Sequence, residues 1–275
     1  MQTLSENKCF GGTQGVYSHA SQATACEMTF GLFLPEEAAN GPVPVLIYLS
    51  GLTCTHENAL TKAGAQALAA EQGIAIVFPD TSPRGDDVAD ADGFDMGIAA
   101  SFYVDATQDP WKKHYQMETY ITRDLMTALA DFPLDLDRVS IMGHSMGGHG
   151  ALTLALKHPD MFRSVSAFSP ICHPTGSDWG QRQFEAYLGG DASTWTAHDA
   201  TLLMQTKGYD KPLLVDQGTD DQFYDKLNTG DFAAACAGAK ADAQIRLQKG
   251  YDHSYFFIST FMADHVDFHA QALYA

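Results

Sequence analysis

Basic residues are scarce. The 275-residue chain carries 16 Lys and Arg against 34 Asp and Glu, a formal net charge of −18. That balance disfavours nucleic acid and anionic membranes as partners. It also repels anionic ligands at long range, so such a ligand would need a local basic group. Cysteine is sparse and unpatterned: Cys9, Cys26, Cys54, Cys172 and Cys236 are odd in number and form no C-x-x-C pair. This argues against a disulfide framework and a structural zinc site, and most of them are expected to be small buried hydrophobes. His144 and His149 are five apart, not at H-E-x-x-H spacing, and Cys54-Thr55-His56 lacks further ligands, so no metal is expected. No apolar run approaches the length of a membrane span. The opening Met1-Gln2-Thr3-Leu4-Ser5-Glu6-Asn7-Lys8 is polar and lacks the apolar stretch of a signal peptide. A cytoplasmic, soluble protein is the expectation. There are no repeats, low-complexity tracts or clear linkers.

What is present suits one sizeable core, with 45% hydrophobic residues. Residues 26–34 alternate and stop at Pro35; with an earlier strand near 14–19 they fit an antiparallel start to a sheet. Residues 45–49 and 74–78 are continuous apolar runs of the kind buried on both faces of a sheet. Between them, 60–72 reads as a helix that stops at Gly73. Strand, helix, strand implies a parallel sheet. Further strands are expected at 138–142, 164–169, 213–218 and 244–247, with helices at 120–130, 147–158, 232–241 and 256–273. The fold class is α/β: one domain over 1–275, a mostly parallel sheet with helices on both faces. Two excursions leave it, at about 81–116 and 171–210. Long excursions of this kind are more often functional walls than slack.

The chemistry centres on Ile141-Met142-Gly143-His144-Ser145-Met146-Gly147-Gly148-His149-Gly150. It is a G-x-S-x-G motif between a strand and a helix, the context such a nucleophile turn requires. The turn strains the serine backbone, and a side chain at Gly143 or Gly147 would clash with the neighbouring elements. Ligands of such sheets bind beyond the carboxyl ends of the strands. At those ends lie Ser50-Gly51-Leu52-Thr53-Cys54, Asp80 to Arg84, Ser145, Gly218-Thr219-Asp220-Asp221 and His253. Serine, acid and histidine thus follow in the order of α/β-hydrolases. His253, in the loop after the last strand, is the expected base. His144 and His149 are expected to make structural hydrogen bonds, and His265 and His269 to serve a surface or packing role. Among the acids, Asp221 is favoured over its neighbour Asp220, with Asp216 and Asp252 read as structural. The oxyanion hole is expected from the backbone N–H groups of Leu52 and Met146. Cys54 reads as a wall residue, or alternatively as a solvent-reachable thiol whose modification blocks the channel.

Six segments carry a resemblance: Ser50-Gly51-Leu52-Thr53-Cys54-Thr55, Pro79-Asp80-Thr81-Ser82-Pro83-Arg84-Gly85, Tyr103-Val104-Asp105-Ala106-Thr107, the 143–150 turn, Asp216-Gln217-Gly218 with Asp221-Gln222-Phe223, and Gly250-Tyr251-Asp252-His253-Ser254-Tyr255. In this order, over almost the whole chain, they resemble the S-formylglutathione hydrolases, also called esterase D. The resemblance implies an α/β-hydrolase fold and a cytoplasmic serine hydrolase that cleaves S-formylglutathione to glutathione and formate. It further implies activity on short acyl esters, no cofactor or metal, and a homodimer. It places the nucleophile on Ser145, the acid on Asp221, the base on His253, the oxyanion donors on Leu52 and Met146, a near-site cysteine on Cys54 and a pocket tryptophan on Trp179. The stretch 172–178 before Trp179 departs from the pattern. Arg84 and Lys62 are candidate partners for the glutathione carboxylates, a surface ion pair being the plainer reading of Lys62. A general carboxylesterase or acyltransferase on the same scaffold, and a binding protein with a dead site, are the competing functions; the complete Ser145, Asp221 and His253 set argues against the last.

Overall fold

The computed structural model describes residues 1–275 and turns the apolar runs into strands. In chain order these are β1 (Gln2–Cys9), β2 (Gly12–Ser21), β3 (Cys26–Leu34), β4 (Val43–Leu49), β5 (Ala75–Pro79), β6 (Leu134–His144), β7 (Val165–Phe168), β8 (Leu213–Gly218) and β9 (Ala243–Gln248). The main helices are α1 (His56–Lys62), α2 (Gln66–Gln72), α3 (117–129, with a π-helical stretch at Tyr120–Asp124), α4 (Met146–Lys157), α5 (Asp178–Leu188), α6 (Ala200–Lys207), α7 (Thr229–Ala239) and α8 (Tyr255–Tyr274). The nine strands form one sheet in the order β1-β2-β3-β5-β4-β6-β7-β8-β9. The strands from β4 to β9 are parallel, and β1 to β3 join their edge antiparallel.

Side chains alternate across each strand, so a strand covered on both sides feeds two cores. On β4, Val45, Ile47 and Leu49 enter the larger core with Leu152 and Leu154 of α4. Leu46 and Tyr48 enter the smaller one, with Ala59 of α1, Ala69 of α2 and Phe257, Ile258 and Met262 of α8. Every residue of α4 except Lys157 is buried, so this helix lacks a polar face.

Three expectations need correction. The polar N-terminal stretch is strand β1; it is exposed almost throughout as an edge strand, and therefore carries no apolar alternation. The helix expected over 60–72 is two helices, broken at Ala63-Gly64-Ala65 where Gly64 takes φ +72°. The first begins earlier, in a capping box that joins Thr55 and Asn58. His265 and His269 are not on the surface. His269 bonds Ser164 Oγ and Ser166 Oγ, each at 2.7 Å, and His265 bonds Ser166 Oγ at 2.8 Å and Asp216 at 3.4 Å. Asp216 is fully buried and paired with Arg246. This polar chain fastens α8 to β7 and β8, and each buried group in it has a partner.

A second polar anchor lies at the end of α4. Glu118 of α3 holds Lys157 and, at 3.0 Å, His158 Nε2. Burial pushes its carboxyl up, but the His158 and Lys157 hydrogen bonds and the Lys157 charge outweigh it, lowering the pKa from 4.5 to about 2. A carboxyl depressed on folding stabilises the protein above its ordinary range, and that stabilisation is lost as pH falls. Glu118→Gln is therefore expected to lower Tm most at neutral pH, the gap to the parent closing between about pH 4.5 and 2. Thermal melts across that range check it.

Candidate active site

Ser145 is the single residue between β6 and α4, at φ 58° and ψ −118°. That strain is retained because the elements on either side are locked together. A Cβ on Gly147 would lie 2.0 Å from the carbonyl oxygen of Leu49 on β4, and one on Gly143 would lie 2.1 Å from that of Gly147. Only glycine at both positions lets β4, β6 and α4 approach this closely.

The loop after β4 lies over the serine. A Cβ on Gly51 would meet Ser145 Cβ at 3.1 Å. The loop is held by Thr53 N–H donating to Ala99 O at 3.1 Å and by Tyr103 Oη donating to Ser50 O at 2.9 Å. The Leu52 N–H makes no backbone hydrogen bond. Met146 is the first residue of α4, where an N–H has no partner within the helix. Both remain free for a ligand oxygen, with the positive end of α4 behind Met146.

The structure brings His253 and Asp221 together. His253 Nδ1 lies 2.6 Å from Asp221 Oδ2. Asp221 also accepts from Gln217 Nε2 at 3.1 Å and from the Phe223 N–H at 2.8 Å. Burial raises its carboxyl pKa, but the His253 contact and the Phe223 N–H hold it below the ordinary value. Asp220 is exposed and turned to Thr219. Asp252 caps the start of α8 through Ser254. With Nδ1 engaged, Nε2 is the ring atom left for the serine. Ser145 is itself buried and lines the same cavity as His253.

Ser145 and His253 open onto one cavity of about 200 Å³, lined also by Leu52, Cys54, Phe94, Trp179, Phe223 and Leu227. Phe94 and Leu227 escaped the sequence reading, since a lone apolar residue in a loop carries no pattern. Cys54 is buried, and burial pushes its thiol pKa up, so it sits there as a wall residue and not as an activated thiol.

The expected hydrogen bonds of His144 and His149 are absent: no ring nitrogen of either has a partner. His144 packs on the base instead, its ring centroid 4.5 Å from that of His253. His149 packs between Phe102 and Phe184. Burial drives the pKa of both down, His149 to about 4, so they are neutral aromatic spacers. Arg84 is not part of the cavity lining. Its guanidinium is spent on Asp80, at 2.9 and 3.0 Å, and on the Cys54 carbonyl at 3.1 Å, which ties down the loop after β4. Lys62 forms no ion pair; its ammonium lies over the Tyr255 ring, 5.8 Å from the centroid.

The family model described as "Putative esterase" matches residues 21–268. An S-formylglutathione hydrolase of Paracoccus denitrificans is 57% identical over 273 residues, covering 99% of this chain and 98% of that protein. One from Mus musculus is 49% identical, covering 100% of this chain and 99% of that protein. A solved S-formylglutathione hydrolase from Agrobacterium tumefaciens superimposes with a TM-score of 0.97 at 47% identity, over 99% of this chain and 100% of that one. With likeness of this extent in sequence and in structure, the chain belongs to the S-formylglutathione hydrolase family and has its α/β-hydrolase fold.

Proposed function

We propose that this protein is a serine hydrolase that cleaves S-formylglutathione to glutathione and formate. The 2.6 Å contact of His253 with Asp221, beside a cavity shared with Ser145, carries the chemical part of this reading. The relatives' names carry the substrate. His253 Nε2 takes the Ser145 proton as Oγ attacks the formyl carbon. The negative charge that develops on the formyl oxygen rests on the N–H groups of Leu52 and Met146. Asp221 holds the imidazole with Nδ1 protonated and stabilises the imidazolium. The C–S bond breaks, and the proton on His253 passes to the glutathione sulfur. A water then gives a proton to His253 and attacks the formyl-enzyme, returning Ser145 and releasing formate.

The small apolar cavity also suits short acyl esters, with longer chains excluded by its walls. The glutathione moiety must lie outside that volume, since 200 Å³ does not hold a tripeptide. The same reading makes the protein a cytoplasmic homodimer. No helix is long and apolar enough to cross a membrane, and the five cysteines are unpaired; the dimer rests on the family resemblance.

Ser145→Ala is expected to cut kcat/KM for S-formylglutathione by about 10⁴-fold or more and to abolish fluorophosphonate labelling. A variant that keeps near-parental turnover would refute the nucleophile. For p-nitrophenyl esters, kcat/KM is expected to fall progressively from acetate to hexanoate. A preference for the longer chain would sink the tight-pocket reading.

A further inference from the structure

Asp95 is a hub that the mechanism does not use. It is buried at 7% exposure, in the segment 84–99 after β5. Its Oδ2 accepts from three side chains of α5: Trp179 Nε1 at 2.6 Å, Gln183 Nε2 at 3.1 Å and the Arg182 guanidinium. Phe94, its chain neighbour, is 55% exposed and lines the cavity together with Trp179. The carboxylate thus stands directly behind two apolar walls of the site.

The position of those walls follows from the reaction geometry. Phe223 packs edge-on against His253, with centroids 5.0 Å apart. Trp179 packs edge-on to Phe102, centroids 5.9 Å apart, and the Phe102 N–H lies 3.3 Å from Met146 Sδ. A carbonyl carbon attacked by Ser145 directs its oxygen to Leu52 and Met146 and its leaving group to His253. Its remaining substituent, the acyl chain, is left with the rest of the cavity lining, to which Trp179 and Phe94 belong.

We propose that Asp95 is a specificity-determining residue, which keeps the acyl side of the cavity short by fixing the Trp179 indole. The proposal rests on the acyl-transfer reading of the site. A bare anchoring role is already filled elsewhere in the segment: Tyr187 Oη accepts from the Gly97 N–H and donates to Ala100 O, each at 2.8 Å. No other group accepts from Trp179 Nε1. Without the Asp95 carboxylate, the indole N–H is left half-buried and unpaired, which favours a ring position that reaches water and opens the wall.

The test is the ratio of kcat/KM for p-nitrophenyl hexanoate to that for the acetate, with S-formylglutathione turnover measured alongside. In Asp95→Ala the ratio is expected to rise about tenfold, the order set by chain-length discrimination in an apolar pocket. Asp95→Asn, whose amide oxygen still accepts from the indole, is expected to stay within about twofold of the parent. In a Trp179→Ala background, Asp95→Ala is expected to add nothing, because the wall it holds is gone. Asp95→Ser replaces the alanine variant should that fail to fold. The proposal is overturned if acetate and hexanoate slow by one common factor in Asp95→Ala. It is also overturned if Asn is as permissive as Ala, or if the ratio still rises in the Trp179→Ala background. Loss of S-formylglutathione turnover from the parent, with ester hydrolysis intact, would refute the thioester reading alone and leave the ester ratio to decide on Asp95.

Discussion

The contact on which the site depends is the approach of α4 to β4, where the Cα of Gly147 lies against the Leu49 carbonyl. No side chain fits between them, so the helix begins immediately beyond the strand ends. Three consequences follow from that one packing constraint. Ser145 is forced into a left-handed conformation that projects its hydroxyl. Met146 follows it directly as the first residue of the helix, where its N–H has no partner within the helix. The loop leaving β4 has to pass over Ser145, which brings Leu52 there too. Ser145 and the free N–H groups of Leu52 and Met146 are thus one mechanical unit, and its rigidity comes from a helix buried along nearly its whole length.

Asp221 and His253 are held by a different device. Asp221 follows β8, and His253 sits between β9 and α8. Below them, the Asp216, His265, Ser166 and His269 chain stitches α8 to the sheet. Burial of such polar groups costs free energy unless all are partnered, and here each one is. His144 fills the space on the other side of the base with a neutral ring. The base is fixed by a hydrogen bond at one edge and by aromatic packing against His144 and Phe223.

Much of this was legible because it is local. Glycine spacing around Ser145, buried-strand runs and the order of strand ends are properties of neighbouring residues, and they led to the sheet and to the loops that the structure brings around one cavity. What escaped depends on cover and on side-chain partners that no periodic pattern records. β1 has no apolar face because nothing covers it, so periodicity is silent there. Arg84 read as a substrate cation since its partner Asp80, only four residues away, gave no sign that it would take the guanidinium in two hydrogen bonds. His144 read as a hydrogen-bonding group because an imidazole has two nitrogens to satisfy; the structure gives it packing alone. Phe94 and Asp95 meet Trp179 across 84 residues of chain, a separation that no local pattern spans.

The polarity of the chain has a consequence for its synthesis. The serine hydroxyl, its oxyanion donors and Asp221 all precede β9, and His253 comes after it. On the proposed mechanism, a growing polypeptide that has already folded β4 to β8 presents an elbow with no base. Thioester turnover starts only when the final crossover docks. On that same mechanism, a chain that stops short of His253 would carry the serine and the acid without the group that takes the proton.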